Sequence, residues 1–115
     1  MIKFPKPKPR KSEKRREKAH RNAVIAAVRA DVVRRDPRCR CCGDFLFNHG
    51  EMHELRSRAQ LRGKLPEEIF NTANCVMLCH ACHVEVTDHR IDLVPVDQEA
   101  GANGKLDVQR TLPCD

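Results

Sequence analysis

The chain has 115 residues, carries 22 Lys or Arg against 16 Asp or Glu for a formal net charge of +6, and is only 3% aromatic. That length fits one small domain with appendages, and the modest apolar content calls for a staple such as a metal. The Val24–Val28 run after the basic N-terminus is too short and alanine-rich for a signal-peptide core or a membrane span, so the seven cysteines point to metal binding in a reducing, intracellular (cytoplasmic) setting and not to a disulfide scaffold.

The charge is unevenly spread. Residues 1–43 hold 15 Lys or Arg against 4 Asp or Glu, a net of +11, whereas residues 44–115 hold 7 against 12, a net of −5. The basic half is a candidate phosphate-binding surface, with a solvated tail as the competing reading. Pro5, Pro7 and Pro9 alternate with lysines, so residues 1–11 are expected to form a disordered basic arm. A basic helix is expected over 12–36, stopped at Asp36-Pro37 because the residue before proline is biased away from helical backbone. Arg10, Lys11, Lys14 and Arg15, at the junction of arm and helix, are candidate nucleic-acid contacts. The apolar second half of the helix, Ala23 to Val28 with Val32 and Val33, should dock on a core.

Pro37 to Gly43 reads as a first metal knuckle, with Phe45, Leu46 and Phe47 expected to pack beneath it. Glu51 to Arg58 reads as a short strand running into a polar loop, and Pro66 to Phe70 as a helical turn with an early proline. Asn74 precedes the apolar strand Cys75 to Leu78, which enters a second knuckle. A helix is expected over Cys82 to His89, placing His83 and Thr87 one turn apart on one face. The C-terminal β extension, 91–115, holds Ile91 to Val96 and Lys105 to Gln109, a hairpin pattern around the turn-forming Asn103-Gly104.

Chemistry concentrates in two groups. Cys39, Cys42, Cys79 and Cys82 form two CxxC pairs, and two tight loops offering two thiolates each suit tetrahedral zinc in a structural role. Cys41, Cys75 and Cys114 are then spare thiols, Cys42 being preferred to Cys41 by the CxxC spacing and the following Gly43. The segment between the pairs contributes His53 and Glu54, and the stretch after the second pair contributes His83. If the zinc ties these segments together, imidazole and carboxylate ligands can face a hydrolytic divalent metal, with a neighbouring base to activate water. Asn74 is placed to hold that base or a backbone carbonyl. Arg56, Arg58 and Arg62, with Lys64, flank the group as candidate phosphate contacts, against the alternative of a solvated loop. Thr87 and His89 are further candidates for the metal shell or for phosphate.

His53, Asn74 and His83, within the frame CxxCG, H-E-L-x-S-R and N-C-V-M-L-C-x-x-C-H, resemble the motif of the HNH endonuclease family over roughly residues 39–90. The resemblance implies an α+β fold with a ββα-metal (His-Me finger) core over 37–90, carrying two CxxC zinc knuckles and preceded by the basic helix. It also implies a metal-dependent nuclease acting on DNA, with Asn74 orienting the catalytic hairpin and His83 binding the catalytic metal. The chain departs from the family pattern at His53-Glu54, where members commonly carry Asp-His or His-His. Two assignments follow: His53 as base with Glu54 and His83 at the metal, or His53 and His83 at the metal with Glu54 activating water. The greater basicity of imidazole at neutral pH favours the first.

The function expected is DNA phosphodiester hydrolysis with low sequence specificity, using structural Zn²⁺ and a catalytic Mg²⁺, Mn²⁺, Ni²⁺ or Zn²⁺. DNA is the expected partner, with a larger phage-packaging or mobile-element protein beside it, no membrane, and a monomer or weak dimer as the working state. A non-catalytic zinc-stapled nucleic-acid-binding module and a treble-clef-like protein-interaction module are the alternatives.

Overall fold

The computed structural model describes residues 11–111, so most of the expected basic arm, including Arg10, and Cys114 lie outside the described residues. Helix α1 spans Lys11–Arg35, from the first described residue, and its first thirteen residues are all exposed. Its far end is anchored by Val32, which is fully buried, and by the residue that stops it. Asp36 is buried and accepts hydrogen bonds from Arg35 (2.8 Å), Arg40 (3.0 Å) and the backbone N–H of Met77 (3.2 Å). The helix stop is therefore also a clamp joining α1, the first cysteine loop and the central strand. Desolvation works against the Asp36 carboxylate, but the hydrogen bond from Arg35 leads the favourable contacts that leave its pKa below the ordinary 3.8.

Strand β1 (Glu51–Glu54) pairs antiparallel with β2 (Cys75–Leu78), Glu51 opposite Leu78 and Glu54 opposite Cys75. All four residues of β2 are buried, as its uninterrupted apolar run requires. Between the two strands lies a short helix, α2 (Pro66–Ile69), opened by Pro66 and by a hydrogen bond from Leu65 N–H to the Glu68 carboxylate at 2.8 Å. Helix α3 spans His80–Thr87 and begins earlier than the expected Cys82, because Cys79 acts as its N-cap and accepts from the Cys82 N–H through Sγ. It ends before His89, whose φ of +60° is incompatible with continuing the helix. Val32, Leu46, Val76, Leu78, Val86 and Ile91 belong to the core that joins α1, β2, α3 and the C-terminal segment.

The C-terminal extension is an antiparallel pair, β3 (Ile91–Pro95) with β4 (Leu106–Arg110), as the hairpin pattern predicted. Its connection is not a two-residue Asn-Gly turn. The loop instead contains a 3-10 turn, Gly101–Asn103, and plugs onto the body through Ala102 N–H donating to Ala73 O at 2.7 Å. A second correction concerns Phe45 and Phe47, which are 49% and 72% exposed and do not pack beneath the knuckle. The reason is local: Phe47 and Asn48 both adopt left-handed backbone, φ +48° and +64°, which turns the chain outward. Among the described residues, no helix is long and apolar enough to cross a membrane.

Candidate functional site

The four cysteines of the two CxxC pairs come together as expected. One Sγ from each of Cys39, Cys42, Cys79 and Cys82 lies within 4.8 Å of the others. A tetrahedral zinc with Zn–S bonds of about 2.3 Å has S···S edges of about 3.8 Å, and Cys42 Sγ and Cys79 Sγ are 3.8 Å apart. The donor set therefore fits zinc in chemistry and in spacing. Burial opposes ionisation of Cys39, yet backbone N–H groups of Cys42, Cys79 and Cys41 aimed at it bring its pKa to about 7. Its neighbours are forced the other way: the Cys42 thiol is pushed up to about 11, and burial raises that of Cys82. A divalent ion relieves this competition by balancing several thiolates at once. Cys41 lies beside the group without belonging to it, and Cys75 is buried in the core, where burial raises its thiol to about 11.

The histidines form a second cluster, carried by β1 and α3. His53 and His83 rings meet edge to face with centroids 5.3 Å apart. Two imidazoles bound to one ion at about 2.1 Å, with a near-tetrahedral angle between them, have centroids about 5.2 Å apart, so this pair is spaced as two ligands of one metal would be. Burial, and then the neighbouring His83, hold the His53 pKa below its usual 6.5 and so favour the neutral, ligating form. Among the described residues only the cysteine quartet brings three or more His, Cys, Asp or Glu atoms within one ion's reach. A metal on this pair would keep most of its coordination positions for water and phosphate, as hydrolytic divalent ions on nucleic acids commonly do.

Glu51 completes the cluster and was not foreseen as a functional residue. It shares a face of β1 with His53, two residues on. Its carboxylate accepts from Nδ1 of His83 at 2.7 Å and from Nδ1 of His80 at 2.9 Å. The two imidazoles, His83 first, hold its carboxyl below the ordinary carboxylate range. A bond at Nδ1 leaves Nε2 of His83 as the free lone pair, the arrangement in which a carboxylate orients a metal-binding histidine. The strand period alone was the available signal.

Glu54, next to His53 in sequence, reaches Arg58 at 3.6 Å. It lines, with His53, Gln60, Thr87, His89 and Asp92, an open cleft of about 400 Å³ between the end of β1, α3 and the start of β3. Asp92 is a further carboxylate at this cleft that the motif reading did not single out. Asn74 is buried and spends its side chain on backbone: it accepts from Arg56 N–H (2.9 Å) and donates to Arg56 O (3.1 Å) and Ile69 O (2.8 Å). With Leu55 N–H donating to Asn74 O at 2.7 Å, it fixes the exit of β1 and hence the direction in which His53 and Glu54 leave the strand.

The basic candidates divide. Arg58 lies 5.0 Å over the Phe70 ring, while Arg56 and Arg62 are exposed. Lys11, Lys14 and Arg15 are exposed on α1, where Lys14, Lys18 and Arg21 line a groove walled by Leu65 and Pro66. Spaced four and three residues apart, these three cations share one helix face. Comparison with protein-family models, curated proteins and solved structures finds no significant match. Fold and site together define a small α+β protein with two antiparallel sheets and four cysteines positioned to bind a metal ion such as zinc.

Proposed function

We propose that the protein is an HNH-type, ββα-metal endonuclease that hydrolyses phosphodiester bonds in DNA. The observation that carries this reading is the His53–His83 pair at the spacing of two ligands of one ion, with Glu51 bonded to the second of them. The pairing favours the second of the two assignments: His53 and His83 hold the divalent ion, and Glu54, at the adjoining cleft, takes the proton from the attacking water. Arg58 Nε, 3.6 Å from the Glu54 carboxylate, orients that side chain at the cleft. His53 and His83 would hold a divalent ion whose positive charge would stabilise the scissile phosphate and the leaving oxygen. Asn74 holds the strand exit rigid so that His53 and Glu54 keep their relative positions. The exposed cations of α1 and the Arg56–Arg62 loop bind phosphates without reading bases, so sequence preference is weak.

Cleavage of supercoiled plasmid by zinc-loaded protein, with added Mg²⁺, Mn²⁺ or Ni²⁺ against EDTA, tests the proposal beside His53→Ala and His83→Ala. Metal-dependent nicking that both variants lose, while each keeps its zinc, is the expected result. A folded wild type that retards plasmid on a gel but never cuts it supports the non-catalytic binding module. That second reading draws on one observation, the absence among the described residues of a third protein ligand beside the imidazole pair.

A further inference from the structure

Of the three phenylalanines among the described residues, only Phe70 is buried. In a chain this poor in aromatics, the other two are spent on the surface. Phe45 and Phe47 pack against each other edge to face, centroids 4.7 Å apart, and Phe47 is 72% exposed. The exposure is built in by backbone: φ values of +48° at Phe47 and +64° at Asn48 are left-handed, and a bulky residue held there carries strain that the fold tolerates for a reason. The Arg38 guanidinium stands 5.6 Å over the Phe45 ring, and Arg29 reaches the neighbouring Gly50 carbonyl at 3.3 Å. The slot beneath the rings, about 130 Å³, is too small to enclose an organic ligand, which needs about 300 Å³ or more. What the patch offers is an open ring face at Phe47, with the Arg38 guanidinium over its Phe45 brace.

We infer that Phe47, braced by Phe45, is a stacking platform for an unpaired base of a nucleic-acid strand, with Arg38 and Arg29 meeting the strand's phosphates. Charge complementarity selects this occupant: one guanidinium stands over the Phe45 ring and a second is held at the neighbouring Gly50 carbonyl, and polyanionic strands bind where cations and aromatic faces alternate. Stacking on a ring is indifferent to base identity, and it needs a base free of its partner. The platform therefore selects single-stranded, frayed or distorted sites over intact duplex. This inference rests on the nucleic-acid reading above and adds a structural preference to it.

The experiment uses the full zinc-loaded chain without added catalytic metal, a fluorescein-labelled 20-nucleotide single strand, its duplex, and a strand carrying 2-aminopurine. Wild type should quench 2-aminopurine fluorescence in the single strand. Phe47→Ala, its fold checked by zinc content and circular dichroism, should lose the quenching and about tenfold of single-strand affinity, the size of one stacked base. Duplex affinity should change by less than about twofold, since phosphate contacts are untouched, and Phe47→Trp should restore the quenching. Equal loss for single strand and duplex, or no loss for either, overturns the inference while leaving the nuclease reading intact. So does a Phe47→Ala variant whose only change is loss of self-association in sedimentation, which assigns the patch to a second copy. A wild type that binds neither strand nor duplex at low salt removes the nucleic-acid reading itself.

Discussion

The carboxylate of Glu51 accepts a hydrogen bond from Nδ1 of His83 at 2.7 Å, across the gap between the first strand and the helix that follows the second knuckle. One residue thereby fixes the tautomer of a candidate metal ligand and ties it to the strand that carries His53. Removing such an outer carboxylate typically costs 10–100-fold in metal affinity. Glu51→Ala should therefore weaken Mn²⁺ or Ni²⁺ binding to zinc-loaded protein by about that factor in calorimetry, with zinc content unchanged. Glu51→Gln should lie between, because its amide oxygen can still accept from Nδ1–H. Unchanged affinity in both variants would remove Glu51 from the site.

Cys79 has three duties: it joins the thiol quartet, caps helix α3 through Sγ, and precedes the histidine pair's helix-borne member by one turn. Apparent zinc binding to sites of this kind is worth about 10–16 kcal/mol, comparable to or larger than the whole stability of a small domain, about 5–15 kcal/mol. Cys79→Ala, or chelation of the zinc, should leave an unfolded chain by circular dichroism. Cys41→Ser should keep one zinc per chain and a cooperative melt. Loss of zinc from Cys41→Ser would mean that the fifth thiol, not one of the quartet, is the ligand.

The cysteine quartet and strand β2 were legible because each rests on local pattern: ligand spacing in one case, an apolar run in the other. The start of α3 was misplaced by two residues because a thiol served as its cap, where the sequence signals rely on hydroxyl and carboxamide oxygens. Phe45 and Phe47 were expected inside on hydrophobicity alone; Asn48 is a residue type that visits left-handed backbone, but nothing marks the bulky Phe47 before it for the same conformation. The proposed preference for His53 over Glu54 as a metal ligand draws on the position of His83, a contact across thirty residues. Asp36 was readable as a helix stop, but its role as a buried clamp depends on Arg40 and Met77 arriving from elsewhere.

That clamp is open to measurement. The Asp36 side chain is 1% exposed and paired with Arg35 and Arg40, each about one-fifth exposed. Deleting one member of a buried ionic group leaves the others desolvated and unpaired, at a cost of about 3–5 kcal/mol. Asp36→Ala should show that loss in urea denaturation of the zinc-loaded protein. Asp36→Asn should lose less, since its carboxamide oxygen still accepts from the Met77 N–H. If Asp36→Ala costs under 1 kcal/mol, the tie between α1 and the first knuckle is carried by apolar contacts instead.

The C-terminal hairpin depends on one glycine. Gly101 has φ +55°, and a Cβ placed there would stand 2.4 Å from the carbonyl oxygen of Ala73, the same oxygen that accepts the Ala102 N–H. Gly101→Ala therefore combines left-handed strain with a clash against backbone, which cannot yield as a side chain does. The combined cost should be about 1–3 kcal/mol, spent locally: the Ala102 amide and the β3–β4 ladder should exchange hydrogen faster while the β1–β2 amides keep their protection. The cleft shares Asp92 with β3, so on the proposed nuclease reading cleavage should fall as the hairpin loosens even though the cysteine quartet and the imidazole pair are untouched. Full activity in a variant with an exchanging hairpin would place Asp92 and the whole C-terminal extension outside the catalytic unit.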